Sequence, residues 1–187
     1  MQNWNIQAQN GMDFVTVNDF SLYDQVLDHS VLLGATPKRF NDGSCDSFDN
    51  YFRMARGQAP TGEPTRACEM TKWFDTNYHY LVPELSPNQS FILNPEKLLA
   101  EITEAQQLGH QVKPVILGPV TYLWLAKCAN EEFDRLSLLP ALLDSYQGLL
   151  KLLARKNIDW VQIDEPALVM ELDTRWQEAY REAYQTL

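Results

Sequence analysis

The sequence predicts an α/β fold built on a parallel sheet, and three observations carry that prediction. Short apolar runs at residues 12–17, 78–82, 112–117 and 158–163 alternate with stretches of helical spacing, the order of a (β/α) repeat. The run at 112–117 is apolar on both faces through Val115, Ile116 and Leu117, as a strand covered on both sides must be. The run at 158–163 ends on Asp164-Glu165-Pro166, where a proline that cannot donate to a ladder stops pairing and leaves two carboxylates at the edge. In parallel α/β folds that edge is where ligands bind.

The elements follow in order. After the first strand, Leu22, Val26, Leu27, Val31 and Leu32 set a helix over 21–33 that Gly34 stops. Residues 37–68 carry three prolines and three glycines around a short helix at 45–55, and an excursion of that length is functional or disordered. A strand at 78–82 is closed by Pro83, and Asn94-Pro95 opens a helix running to Leu108 before Gly109. The strand at 112–117 stops at Gly118-Pro119, helices follow at 122–128 and 138–156, and Asn157 closes the second. The last segment, 174–187, is amphipathic through Trp176, Ala179, Tyr180, Ala183 and Tyr184. Four such strands are too few to close an eight-stranded barrel, so pattern alone leaves a small open α/β protein and part of a barrel both standing.

Composition narrows the function. At 187 residues and 45% hydrophobic the chain suits one core. The net charge of −10 argues against nucleic acid, whose capture needs a concentrated basic face. No apolar run is long enough for a membrane span, and no basic-then-apolar leader opens the chain, so a cytoplasmic location is expected. Cys45, Cys68 and Cys128 are odd in number and scattered, and His29, His79 and His110 share no metal spacing, so neither a disulfide framework nor a metal site is expected. Lys38, Arg39, Arg53, Arg56 and Arg66 fall in the loop-rich stretch, either as solvated surface or as a local attraction for an anion.

Five blocks, DFSLYDQVL at 19–27, RGQAPTGEP at 56–64, EMTKWFDTNYHY at 69–80, LGPVT at 117–121 and WVQIDEPAL at 160–168, resemble the N-terminal half of the cobalamin-independent methionine synthase family in order and spacing. The resemblance implies a partial (β/α)8 TIM-type barrel of about four parallel strands with flanking helices, occupying residues 1–187. It implies transfer of the methyl group of 5-methyltetrahydropteroyltriglutamate to homocysteine, without cobalamin. Zinc, which would hold the homocysteine sulfur as a thiolate, and homocysteine itself would sit in a C-terminal barrel outside this chain. The family's Arg-Glu-Leu-Lys segment would lie upstream of Met1, so the chain is expected to be truncated at both ends, inactive alone, and prone to self-association through open sheet edges. The other reading is a non-catalytic interaction module, a half-barrel that pairs with itself or complements another chain.

By the same resemblance Lys72 is the residue expected to hold the folate polyglutamate tail, since an ammonium on a flexible stem can follow a chain of carboxylates. Asp19, Asp75, Asn77, Asp164 and Glu165 are expected to line the mouth. The family's other barrel carries a second carboxylate six residues beyond its matching aspartate, and here that position is Met170, which cannot replace it. Asp164 and Glu165 therefore also fit a structural role, capping a following helix or pairing with a base, worth roughly 0.3–1 kcal/mol at a helix N-terminus. Trp73, Phe74, Tyr78 and Tyr80 read as core and interdomain packing, and His79 as a hydrogen-bonded structural residue on a strand.

Overall fold

A computed structural model describes residues 2–129 and 132–187. Three strands, β1 (Phe14–Val17), β5 (Gln111–Leu117) and β7 (Gln162–Asp164), form a parallel sheet in the order β1-β5-β7. Between β1 and β5 lie α2 (Gln25–Leu32), α3 (Ser47–Arg56), an antiparallel hairpin of β2 (Met70–Lys72) and β3 (His79–Leu81), β4 (Glu84–Leu85) and α4 (Glu96–Gln107). Between β5 and β7 lie α5 (Pro119–Leu125), β6 (Lys127–Cys128), which pairs in parallel with β4, and α6 (Leu139–Arg155); α1 (Gln2–Gln9) precedes β1 and α7 (Thr174–Thr186) ends the chain.

Local chemistry explains most of these boundaries. Asp24, Asp46 and Asp173 each accept a backbone N–H of the first turn of α2, α3 and α7. Gly57 closes α3 at a φ of 80°, which a Cβ would resist. Leu142, Leu143, Tyr146, Leu149 and Leu153 recur along α6 at helical spacing and are buried, as are Leu98, Ile102 and Ala105 along α4. Pro114 sits inside the central strand without harm, because it pairs with Val17 of β1 while the ladder to β7 begins only at Val115. The main core lies between the sheet and its helices, and a smaller one joins Leu27, Phe40, Tyr51, Met54 and Leu81 under the inserted elements.

The structure departs from the expected four parallel strands. The run at 78–82 does not join the parallel sheet; its middle three residues form β3, antiparallel to β2, a strand too short and polar to carry a periodic signal. The helix expected at 122–128 begins three residues earlier, at Pro119, and gives way to β6. α1 was not expected, since its QNWNIQAQ sequence has no apolar stripe and buries only Trp4. Its role lies in its side chains. Trp4 Nε1 donates to the Thr16 carbonyl at 2.8 Å and Gln7 Oε1 accepts the Thr16 N–H at 2.8 Å, so the outer edge of β1 is satisfied by a helix rather than left open.

The five cations of the loop-rich stretch divide. Arg53 is fully buried, its guanidinium forked onto Asp42 at 2.8 and 3.1 Å and bonded to Ser44 and Asn50. Arg39 pairs with both oxygens of Glu84 at 2.5 and 2.7 Å. These two are internal fasteners, neither solvated surface nor free anion receptors, while Lys38, Arg56 and Arg66 are exposed.

Candidate functional site

All three strands of the parallel sheet deliver their C-terminal ends to one edge. At β1 the chain turns through Asn18, whose φ of 63° is left-handed and whose side chain is fixed by an Nδ2 bond of 2.9 Å to the Val115 carbonyl. Asp19 follows, exposed, accepting from the Thr16 hydroxyl. At β7 the chain ends on Asp164 and Glu165, with β5 between them and Asp19. The long β1–β5 connection carries the hairpin to the β1 end of that edge. There Asp19, Phe20, Ser21, Tyr23 and Gln25 face Trp73, Thr76 and Tyr78 across an open groove of about 470 Å³.

One buried carboxylate locks the hairpin in place. Asp24 is 1% exposed and accepts from Leu27 N at 2.8 Å, Leu81 N at 3.0 Å and Tyr78 Oη at 2.6 Å, tying the start of α2 to both ends of β3. Burial pushes its pKa up from 3.8, and the three hydrogen bonds only partly offset that. Tyr78 is pushed up as well, first by burial and then by Asp24. Trp73 anchors the hairpin from the other side, packing edge-on against Phe74, Tyr78 and Tyr80 with centroids 5.1–6.2 Å apart and touching the main core. Its position is that of a packing residue.

Lys72, Asp75 and Asn77 all belong to this hairpin, and all are exposed. Lys72 is the last residue of β2, directly opposite His79 on β3. Among the described residues its ammonium has no ion pair, and the Asp75 and Asn77 side chains make no hydrogen bond. His79 is exposed rather than set on a buried face, and its Nδ1 lies 3.0 Å from the Asn77 carbonyl.

Asp164 and Glu165 diverge. Among the described residues the Asp164 carboxylate accepts only from Gln162 Nε2, at 2.9 Å, while its backbone carbonyl accepts from Gly118 N at 2.7 Å. The Glu165 carboxylate is enclosed by donors, taking Thr121 N at 2.7 Å, Val120 N at 3.2 Å, Tyr184 Oη at 3.0 Å and Tyr180 Oη at 3.2 Å. It therefore serves the first turn of α5, which precedes it, and not the turn that follows, where it makes no side-chain cap. Burial raises its pKa, and the Thr121, Tyr184 and Val120 bonds work against that. Gly118 belongs to the same unit: its φ of −74° suits any residue, but a Cβ there would collide with the Glu165 side chain. Sequence reading missed Asp24 as a latch and Tyr180 and Tyr184 as donors, although their i, i+4 spacing places both tyrosines on one helix face.

The histidines have other partners. His29 is buried against Tyr146, His110 lies 3.1 Å from Asn5 Oδ1, and among the described residues no group of three histidine, cysteine or acidic side chains converges. No helix of the described residues is long and apolar enough to cross a membrane.

The whole chain, residues 1–187, matches the family model described as "Cobalamin-independent synthase, N-terminal domain". It is 57% identical over 188 residues to a protein of Proteus mirabilis named "5-methyltetrahydropteroyltriglutamate--homocysteine methyltransferase". Proteins of the same name from Sodalis glossinidius and Yersinia pestis are each 56% identical to it. In each case the match takes in 100% of this chain and 25% of the relative, so the chain spans about a quarter of the length of these relatives.

Proposed function

The chain belongs to the cobalamin-independent methionine synthase family, as N-terminal-domain sequence, and from that membership we propose that it works as part of a methyltransferase that makes methionine from homocysteine. The methyl donor is 5-methyltetrahydropteroyltriglutamate, and this domain's share of the work is to hold the donor's polyglutamate tail through Lys72. The observation that carries this reading is the hairpin itself: an exposed ammonium, with no ion pair among the described residues, on a short ladder that Asp24 and Trp73 fix at the ligand edge of a parallel sheet. A tail of carboxylates needs a cation held in place but open to water, and Lys72 meets both conditions.

In this reading the sheet β1-β5-β7 is an arc of a (β/α)8 barrel, supported by its parallel order and by a helix on every connection. Asp19, Asp75, Asn77 and Asp164 line the mouth beside Lys72, while Glu165 holds α5. The homocysteine and zinc sites lie outside this chain, among whose described residues no group of three histidine, cysteine or acidic side chains converges. The protein is cytoplasmic, in keeping with three unpaired cysteines.

Lys72→Ala in the full-length methyltransferase that carries this sequence tests the assignment. KM for the triglutamyl donor is expected to rise about tenfold, the order of one charge-assisted contact, with KM for the monoglutamyl donor nearly unchanged. Equal effects on the two donors would sink it.

A further inference from the structure

We infer that His79 is a second tail-binding residue, contacting the γ-glutamyl amide N–H next to the carboxylate that Lys72 holds. This deepens the reading of Lys72 and rests on it. The first support is register. Trp73 N bonds to the Tyr78 carbonyl and Val82 N to the Glu69 carbonyl, and ladder bonds in an antiparallel pair alternate. Lys72 and His79 therefore form a non-hydrogen-bonded pair, the kind in which facing side chains come closest, with Cβ atoms about 4.5–5.5 Å apart. Both side chains are exposed.

The second support is the state of the ring. A carbonyl can only accept, so the 3.0 Å contact to Asn77 O fixes a hydrogen on Nδ1. In the neutral imidazole Nε2 is then a bare lone pair, and it has no partner among the described residues. With the ring neutral, the pair presents one cationic donor and one acceptor side by side.

The third support is the ligand's own chemistry. Each γ-linked glutamate carries its amide N–H and its free carboxylate on the same α-carbon. One such unit can give its carboxylate to Lys72 and its N–H to His79 at once, which a bare carboxylate or an inorganic anion cannot do.

Two substitutions in the full-length methyltransferase separate this role from a structural one. Asn at 79 keeps an N–H donor for the Asn77 carbonyl and removes the outer acceptor; Gln places an acceptor near the Nε2 position. His79→Asn is expected to raise KM for the triglutamyl donor about fivefold, the order of one hydrogen bond, while kcat and the monoglutamyl KM stay as in the parent. His79→Gln is expected to recover part of that loss. A wild-type triglutamyl KM in the Asn variant, or a Gln variant no better than Asn, would overturn the inference. Lys72→Ala alongside tells the two readings apart: if it alone shows the tail effect, only His79 is wrong, and if it shows none, both are.

Discussion

At the scale of single residues, His29 shows how one buried group sets a pH response. It is 2% exposed on α2, with Nε2 2.6 Å from Tyr146 Oη, whose only hydrogen goes to the Leu117 carbonyl at 2.5 Å. His29 must therefore donate, as a neutral ring, and burial pushes its pKa down from 6.5 to about 3. As pH falls below 6.5 the unfolded chain takes up this proton first, so stability is lost at up to about 1.4 kcal/mol per pH unit until the folded pKa is reached. The carboxyls of Asp24, which is buried, and of Glu101 on α4 and Glu165, which are half-buried, act in the opposite sense. Their pKa values are raised in the folded state, which takes up their protons before the unfolded chain does, so stability is gained as pH falls toward the ordinary carboxyl range. His29→Gln keeps an N–H toward Tyr146 and abolishes the titration. Between pH 6.5 and 5 the urea midpoint of the parent should fall relative to that of the variant, and parallel courses would refute the assignment. Residue identities of this kind were partly legible beforehand. Asp24 reads as a polar residue before a helix, but its bonds to Tyr78 and Leu81 span 54 and 57 positions, and no local pattern reports them.

At the scale of elements, the β5–α5 turn is held by the residue that follows the neighbouring strand β7. Glu165 supplies the acceptor for the first N–H groups of α5, and Gly118 supplies the room it needs. Glu165→Ala should cost about 2–3 kcal/mol by stranding those donors and two tyrosine hydroxyls. Gly118→Ala should cost about 1–3 kcal/mol by displacing the same carboxylate. Because both act through one contact, the double variant should fall short of the sum by at least about 1 kcal/mol in chemical denaturation. Strict additivity would show that Gly118 answers to something else. Elements with a strong period or a cap, such as α4, α6, α7 and β5, could be read from the sequence to within a few residues. Those held by tertiary contacts could not: α1 is fixed by two side-chain bonds to Thr16, and β2, β4 and β6 are two or three residues long. The LGPVT and DEPAL blocks marked the right places, yet only the fold reveals that Glu165 and Gly118 touch.

At the scale of the whole molecule, the two edges of the parallel sheet are unequal. The β1 edge is satisfied by Trp4 and Gln7, while β7 has β5 as its only strand partner among the described residues. Leu168 and Val169, 61% and 80% exposed just beyond it, leave that side apolar. The 187-residue chain alone is therefore expected to associate with rising concentration through the β7 side. Sedimentation across a concentration series checks this, and a monomer throughout would contradict it.

The stretch from Gly57 to Cys68, with its prolines and glycines, looks like the natural place to divide the gene. It is a poor one. Its coil is drawn onto α3 by Thr61 N bonding to Asp49, by Cys68 N bonding to the Met54 carbonyl, and by Gly62 packing against the stem of Arg53. An expression boundary set there would part the coil from the guanidinium it covers, and open the Arg53–Asp42 pair, now closed off from water on the arginine side, to solvent.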